Sequence, residues 1–206
     1  MENIVYKYFD VSSSQKSKID LMLNVYSFWN DKINLISRKD FSYFYERHVL
    51  HSLSIAKVFD FVDDTKIMDL GTGGGFPGVP LAIMCPNVDF LLVDSINKKT
   101  KALKEIVKEL NLNNVSVVNQ RAEQVDGSFD FVVCRAVAKI NQLKSFTKGK
   151  FSNKHNHSFK NGLICLKGGD LGVEINQNES DVKIYSISDF FEEDFFATKK
   201  IVYSEL

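Results

Sequence analysis

Residues that rigidify or cross-link a chain are scarce in this sequence of 206 residues, which has three prolines and three cysteines. The cysteines stand apart, at Cys85, Cys134 and Cys165, so none forms the closely spaced pair of a zinc site or a redox motif. An odd, scattered set argues against a disulfide framework and fits apolar core residues in a reducing compartment. We therefore expect a cytoplasmic protein with free thiols.

Long apolar runs and an excess of one charge are also missing. No stretch reaches the roughly 18 apolar residues that span a bilayer, and the N-terminal MENIVYKYFD lacks the basic and apolar segments of a signal peptide. The chain has 26 basic and 26 acidic residues, which argues against a protein that coats nucleic acid but leaves a local basic patch open. We expect a globular protein without a membrane partner, and a monomer is favoured.

The first sixty residues have the apolar spacing of helices. Serines at 12 to 14 offer helix N-caps, and apolar residues then recur every three or four positions, at Ile19, Met22, Tyr26, Trp29 and Ile33. Residues 41–60 continue the same spacing. This pattern predicts an N-terminal helical extension over residues 1–60, followed by one compact domain over residues 61–206.

From Lys66 onwards, short apolar runs alternate with amphipathic stretches. The predicted strands are Lys66–Leu70, Asp89–Val93, Val115–Asn119, Phe129–Cys134, Gly162–Leu166, Lys183–Ile187 and Lys199–Tyr203, and the predicted helices are Gly78–Cys85, Asn97–Leu110 and 139–147. Apolar strands separated by helices indicate an α/β fold with a parallel sheet covered on both faces, and the final close pair predicts an antiparallel end. The polar segment 147–161 is predicted to be a flexible loop.

Glycine is ordinary in number, at eleven, but four of the eleven fall within five residues of the sequence DLGTGGGFPGVP (69–80). The run follows the first predicted strand, which is where ligands bind an open parallel sheet. There Gly71 and Gly73 allow a tight turn, and we expect Gly74 and Gly75 to let a ligand lie against bare backbone. The run therefore predicts a ligand site at this edge of the sheet.

Two nucleotide ligands compete for that site. Gly73, Gly75 and Gly78 satisfy the dinucleotide pattern G-x-G-x-x-G. Asp69 would repel a pyrophosphate, however, whereas D-x-G-x-G is the form found with S-adenosylmethionine, whose cationic amino-acid end an acid can hold directly or through water. Asp94 ends the second strand, where either ligand needs a carboxylate for its ribose hydroxyls. S-adenosylmethionine is favoured over a nicotinamide cofactor, and a glycine turn without a ligand is the third alternative.

Beyond the glycines, a series of short motifs occurs in order between about residues 25 and 170. These are NLIS (34–37), RHVLHSL (47–53), DLGTGGGFPGVPLAI (69–83), LVDSINKKTKAL (92–103), RAE (121–123), FDFVVCRAVA (129–138) and CLKGG (165–169). In this combination the sequence resembles the bacterial RsmG (GidB) family of 16S ribosomal RNA guanine-N7 methyltransferases. His51 departs from the family pattern, which usually has an acid at that position.

The resemblance implies a fold, a partner and a set of pocket residues. The implied fold is a Rossmann-like seven-stranded methyltransferase sheet, mostly parallel with an antiparallel last strand and preceded by N-terminal helices. The implied partner is 16S ribosomal RNA or the small ribosomal subunit. By the family pattern, the cofactor pocket is lined by Gly71, Phe76, Ala122, Glu123 and Arg135.

The residues themselves leave alternatives for each of these roles. Ala122 and Glu123 follow the third strand, where a backbone N–H and a carboxylate could bind adenine, but Glu123 could also be a solvated loop acid. Arg135 follows the fourth strand and could hold the methionine carboxylate or an RNA phosphate, or form an ion pair that shapes the edge. Phe76 could pack on the cofactor or belong to the core.

The chemistry expected after the fourth strand needs few catalytic groups. Guanine N7 already carries a free lone pair, so the reaction requires alignment and no general base. We therefore predict no catalytic acid, base or nucleophile, with Arg135 as the nearest candidate for a direct role. Cys134 is interpreted as a buried strand thiol and His48 as a packed or hydrogen-bonded histidine. No metal site is predicted, because His155 and His157 have no other ligands at suitable spacing.

RNA contacts need clustered basic residues. The candidates are Arg47 and the helix lysines Lys98, Lys99 and Lys101, followed by Lys104, Arg38, Lys39 and the loop lysines Lys148, Lys150, Lys154 and Lys160. Each of these runs could equally be a solvated face. The acidic stretch 189–194 is expected to point away from RNA.

Overall fold

The computed structural model describes residues 3–135, 137–172 and 182–205, and its centre is a seven-stranded sheet with the order β3-β2-β1-β4-β5-β7-β6. The strands are β1 (Lys66–Leu70), β2 (Asp89–Asp94), β3 (Val115–Asn119), β4 (Phe131–Arg135), β5 (Gly162–Gly168), β6 (Val182–Ser186) and β7 (Lys199–Glu205). Strands β1 to β5 are parallel, and β7 runs antiparallel to both of its neighbours. The predicted fold class is therefore confirmed.

Helices cover both faces of the sheet. They are α1 (Val5–Tyr8), α2 (Ser13–Lys32), α3 (Arg38–Phe41), α4 (His51–Leu53), α5 (Gly78–Met84), α6 (Asn97–Glu109) and α7 (Ile140–Phe146). Because successive strand residues face opposite sides, Ile67 and Val133 pack into one core with α2, α5 and α6. Met68 and Val132 pack into a second core with α7. Within the described ranges, no helix combines the length and apolarity that a membrane span requires.

The N-terminal helices share their core with the sheet. Ser12 caps α2 reciprocally with Gln15, as the serine cluster predicts. The buried face of α2 includes Met22 and Tyr26, which belong to the same apolar cluster as Leu103 of α6. The glycine run thus lies between the sheet and the extension, and both contribute to its shape.

Residues 41–60 are largely helical, as predicted, but they do not form one continuous α-helix. The segment consists of the end of α3, a π-helical stretch at Phe44–Leu50, α4 and a 3-10 turn at Ser54–Lys57. Hydroxyls compete for the helix carbonyls here: Ser52 Oγ donates to the His48 carbonyl at 2.6 Å and Ser54 Oγ to that of His51 at 2.7 Å. The wide π-helical turn places Arg47 and His48 next to the end of β4.

The segment 147–161 is irregular, as predicted, and several of its side chains are anchored on the domain, while its flexibility stays a prediction. Its Phe151 bridges to Phe129, and its Phe159 packs 5.3 Å from the ring of Phe131. The Lys150 ammonium is buried and donates to the carbonyl oxygens of Glu123 and Val125. Lys150 is therefore held by the protein itself and drops out of the candidate RNA contacts.

Candidate functional site

A cavity of about 320 Å³ opens at the carboxyl ends of β1 to β4, and we call it the edge cavity. Each of these strands, or the loop directly after it, contributes residues to the wall of the cavity, because parallel strands present their carboxyl ends at one edge of the sheet. Five of the predicted cofactor residues line it: Gly71, Asp94, Ala122, Glu123 and Arg135. Three further predictions, Asp69, Gly73 and Phe76, lie outside the lining.

Asp94 connects the edge cavity to the glycine run. Its Oδ2 accepts a hydrogen bond from Gly73 N at 2.9 Å, and its Oδ1 accepts one from Ile96 N at 2.8 Å. A carboxylate oxygen has two lone pairs, so each oxygen keeps one for a ligand hydroxyl. The side chain is 9% exposed and is fixed by the backbone on both sides. This arrangement suits a pair of ribose hydroxyls.

Two of the glycines serve packing, which corrects the expectation that Gly74 and Gly75 expose bare backbone to a ligand. The Gly74 carbonyl accepts a hydrogen bond from Tyr26 Oη at 2.8 Å, and a Cβ at this position would meet Leu35. A Cβ at Gly75 would lie 2.8 Å from Leu103 and 2.9 Å from Tyr26 Oη. These glycines let α2 and α6 approach the turn. Gly71 lines the edge cavity, and its φ of +66° fits the tight turn that the sequence predicts there.

Asp69 lies behind the glycine run and is completely buried. Its Oδ2 accepts hydrogen bonds from Thr72 Oγ1 at 2.6 Å and from Gly78 N at 2.8 Å, which fixes the turn. Its buried Oδ1 has no hydrogen-bond partner within the described residues. The predicted contact with the amino-acid end of a cofactor therefore stays a prediction, and the observed role is to hold the turn.

Burial raises the pKa of Asp69 from 3.8 to about 6. The folded protein thus keeps this proton to a higher pH than the unfolded chain does, so the contribution of Asp69 to stability is complete below about pH 4 and is lost as the pH rises to about 6. Between these pH values we expect the free energy of unfolding of the wild-type protein to fall by on the order of 3 kcal/mol more than that of the Asp69→Asn variant. Denaturant unfolding of both proteins at pH 4 and pH 6.5 measures the difference, and equal differences at the two pH values would contradict the prediction.

Ala122 and Glu123 form the wall beyond β3. They belong to a 3-10 turn at Ala122–Gln124, and Ala122 is 8% exposed while Glu123 is exposed. A small residue beside an acid leaves room for a flat ring and offers a carboxylate acceptor at its edge. The placement is compatible with the predicted adenine contact, which stays a prediction.

Arg135 is held in place by the π-helical stretch. Its Nη1 donates to the Arg47 carbonyl at 3.2 Å, its Nη2 donates to His48 Nδ1 at 3.0 Å, and its guanidinium lies 5.0 Å from the Phe76 ring. Burial lowers the pKa of Arg135 to about 10, so it stays charged at neutral pH. Phe76 is 3% exposed and packs against Tyr26, 5.2 Å between ring centroids. Phe76 thus belongs to the core, and its ring packs against the guanidinium of Arg135.

His48 has the hydrogen-bonded role expected of it. A guanidinium can only donate, so His48 Nδ1 accepts and the ring proton lies on Nε2. Burial first, and the charge of Arg135 second, lower the pKa of His48 to about 3. His48 is therefore a neutral acceptor throughout the physiological range.

This geometry predicts different effects for two replacements of His48. His48→Leu removes the acceptor and should lower kcat/KM by about tenfold, because Arg135 loses one of its two fixed bonds. His48→Asn places an acceptor oxygen near the position of Nδ1 and should restore most of the rate. Initial-rate methylation assays of the two variants test this, and equal losses would show that His48 acts by packing alone.

The predicted RNA-contact residues lie in two places. Arg47 forms an ion pair with Asp40 at 3.0 Å and stacks 3.8 Å from the ring of Tyr43. Lys98 and Lys101 are exposed on α6 and line a groove beside α2. Lys99 lies close to the glycine run, since its Nζ would be 4.0 Å from a Cβ added at Gly73. RNA binding by these residues stays a prediction.

Sequence reasoning missed several residues that line the edge cavity or hold the glycine run. Ile96 and Val137 line the edge cavity with 43% and 37% of their surface exposed, which is unusual for large apolar residues. Both come two residues after a strand end, and this position is the signal that could have identified them. Tyr26 and Gly74 could not be paired from the sequence, since 48 residues separate them.

An open, mostly parallel sheet with a cavity at the carboxyl ends of its first strands, beside a glycine run, defines the Rossmann-like methyltransferase fold. Solved structures with this fold include precorrin-6y C5,15-methyltransferase from Geobacter metallireducens GS-15, with a TM-score of 0.55 and 10% identity over 76% of this chain and 87% of that chain. Another is a SAM dependent methyltransferase from Aquifex aeolicus, with a TM-score of 0.52 and 16% identity over 74% and 88%. At these identities the likeness establishes the fold alone.

The chain belongs to the GidB family, rRNA small subunit methyltransferase G, whose model matches residues 15–201. Relatives named "Ribosomal RNA small subunit methyltransferase G" include one from Christiangramia forsetii, 49% identical over 97% of this chain and 95% of that one. Another, from Bacteroides thetaiotaomicron, is 49% identical over 98% of this chain and 99% of that one. The resemblance drawn from the motifs is confirmed.

Proposed function

We propose that this protein transfers a methyl group from S-adenosylmethionine to N7 of a guanine in 16S ribosomal RNA. The proposal rests chiefly on the edge cavity, in which Asp94, Glu123 and Arg135 converge on one space at the carboxyl ends of four strands. The names of the relatives point to small-subunit ribosomal RNA as the substrate. The protein would act in the cytoplasm as a monomer on 16S ribosomal RNA or the small subunit.

The residues of the edge cavity fit S-adenosylmethionine. Asp94 has one free lone pair on each oxygen for the two ribose hydroxyls, and Ala122 and Glu123 offer a wall for adenine. Asp69 is buried behind the turn and its Oδ1 has no hydrogen-bond partner within the described residues, so its carboxylate would add the negative potential that a cationic amino-acid end needs. When bound, S-adenosylmethionine supplies an electrophilic methyl group carried by a sulfonium.

The protein would act by positioning. The lone pair of guanine N7 needs no base, and the carboxylates of Asp69 and Asp94 are already committed to backbone N–H groups. Their role is to fix the turn and the donor, which keeps the reacting atoms aligned. Arg135 is rigidly held, and its remaining N–H groups can bind the cofactor carboxylate or an RNA phosphate.

A methylation assay tests the proposal. Small subunits from a strain without the gene are incubated with purified protein and S-adenosylmethionine, and the 16S ribosomal RNA is digested and analysed by mass spectrometry. We expect one 7-methylguanosine to be restored. Transfer to a protein or a small molecule instead would favour another methyltransferase substrate. Restored ribosome assembly without any methylation would favour a cofactor-binding assembly factor, and either result would overturn the proposal.

A further inference from the structure

A second cavity, of about 220 Å³, shares Arg135 with the edge cavity, and we call it the basic cavity. Its wall includes Arg47, His48, His51, Arg135, Phe195 and Lys199. The basic residues among them come from the π-helical stretch, α4, the end of β4 and the start of β7, and Phe195 comes from the 3-10 turn Asp194–Thr198. The fold therefore brings basic residues from four elements to one opening beside the proposed donor site.

The side chains of the basic cavity are arranged around Phe195. The guanidinium of Arg47 lies 5.4 Å from the centre of its ring, and the ammonium of Lys199 lies 4.7 Å from it. Lys199 stands opposite Gly168 in the β5–β7 register, and a Cβ at position 168 would lie 3.1 Å from Lys199 Nζ. The missing side chain at Gly168 thus leaves room for the lysine.

The balance of charge in the basic cavity is positive. Its one carboxylate, Asp40, accepts hydrogen bonds from Arg47 and from Ser37. His51 is buried, and burial together with Arg135 and Lys199 lowers its pKa well below 6.5, so it adds no charge. Within the described ranges, the contact of the Lys199 ammonium is with the Phe195 ring, whose centre lies 4.7 Å away. Four cations thus line a space with one committed acid; Lys167 donates to the Ala138 carbonyl, which leaves Arg47, Arg135 and Lys199 as the other three.

We propose that the basic cavity binds a phosphate group of the RNA backbone next to the target nucleotide, with Lys199 and Arg47 as the main contacts and Arg135 shared with the donor site. This inference rests on the proposed function for its substrate. A guanidinium and an ammonium that line the same small cavity can bond separate oxygens of one phosphate.

The charge of the product favours phosphate over the guanine base as the occupant. Methylation at N7 leaves the guanine ring cationic, and three cations around that ring would oppose its formation. A phosphodiester carries a permanent negative charge that these side chains attract at every stage of the reaction. Binding it beside Arg135 would place the adjoining nucleotide near the edge cavity.

The test compares two lysines of β7. Lys199→Gln removes the proposed contact, whereas Lys200→Gln removes the same charge from the opposite face of the strand. For Lys199→Gln we expect about tenfold weaker binding of 16S ribosomal RNA. The slope of log affinity against log salt should become shallower by about 0.7–0.9, which corresponds to one phosphate contact. Binding of S-adenosylhomocysteine should be unchanged, and Lys200→Gln should behave as wild type.

A second probe separates this inference from the proposed function. Inorganic pyrophosphate is titrated into each protein and followed by ³¹P line broadening, which requires no RNA. Broadening that Lys199→Gln abolishes and Lys200→Gln retains would support the anion site even if the protein does not methylate 16S ribosomal RNA. Normal methylation by Lys199→Gln with an unchanged salt slope and unchanged pyrophosphate binding would overturn the phosphate site and leave the proposed function intact.

Discussion

Asp94→Asn is expected to weaken the binding of S-adenosylhomocysteine by about 100-fold or more. The carboxylate accepts backbone hydrogen bonds from Gly73 and Ile96 and has one lone pair left on each oxygen. An asparagine would point its NH₂ group at one of these N–H donors and would lose the charge. Two charge-assisted hydrogen bonds to ribose, of about 1.5–3 kcal/mol each, account for the magnitude. Isothermal calorimetry measures it.

The matched control for this prediction is at the other end of the same strand. Asp89 begins β2 and is exposed, so Asp89→Asn makes the same chemical change far from the edge cavity. We expect its affinity for S-adenosylhomocysteine to equal that of wild type. A similar loss in both variants would mean that net charge, and not the contact at Asp94, determines binding.

Gly75→Ala is expected to lower the free energy of unfolding by about 3 kcal/mol. Its φ of +93° strains any residue with a side chain, which costs about 1 kcal/mol. The added Cβ would also lie 2.8 Å from both Leu103 and Val79, and overpacking a rigid core adds about 1–3 kcal/mol. Urea denaturation followed by circular dichroism measures the change.

Gly149→Ala separates strain from packing. Gly149 has a φ of +75°, but no atom lies within 4 Å of its added Cβ. This variant should therefore lose only the strain energy of about 1 kcal/mol. If Gly75→Ala proved as mild as Gly149→Ala and instead abolished cofactor binding, the assignment of Gly75 to packing would be wrong and the ligand role expected from the sequence would be restored.

The sheet could be predicted because its signals are local. Apolar runs such as Phe131–Arg135 are continuous in the sequence, and parallel strands buried on both faces require such runs. The position of Asp94 followed from the rule that ligands bind at the carboxyl ends of strands, and Glu123, implied by the family resemblance, agrees with the same rule. Predicting these residues required no information about contacts between distant parts of the sequence.

The roles of the glycines and of Phe76 could not be predicted, because they depend on distant partners. Gly74 and Phe76 contact Tyr26, which lies on α2 about 50 residues earlier. A glycine that leaves room for a ligand cannot be distinguished in the sequence from a glycine that leaves room for a neighbouring helix, because both positions require the absence of a Cβ. The π-helical stretch that holds Arg135 likewise depends on serine hydroxyls whose partners emerge only in the fold.

A crystal structure of the protein with S-adenosylhomocysteine would show whether the edge cavity is the cofactor site. We predict the ribose hydroxyls on the Asp94 carboxylate and the adenine beside Ala122 and Glu123. Density for the ligand outside the edge cavity, or an edge cavity left without ligand at saturating concentration, would contradict this prediction.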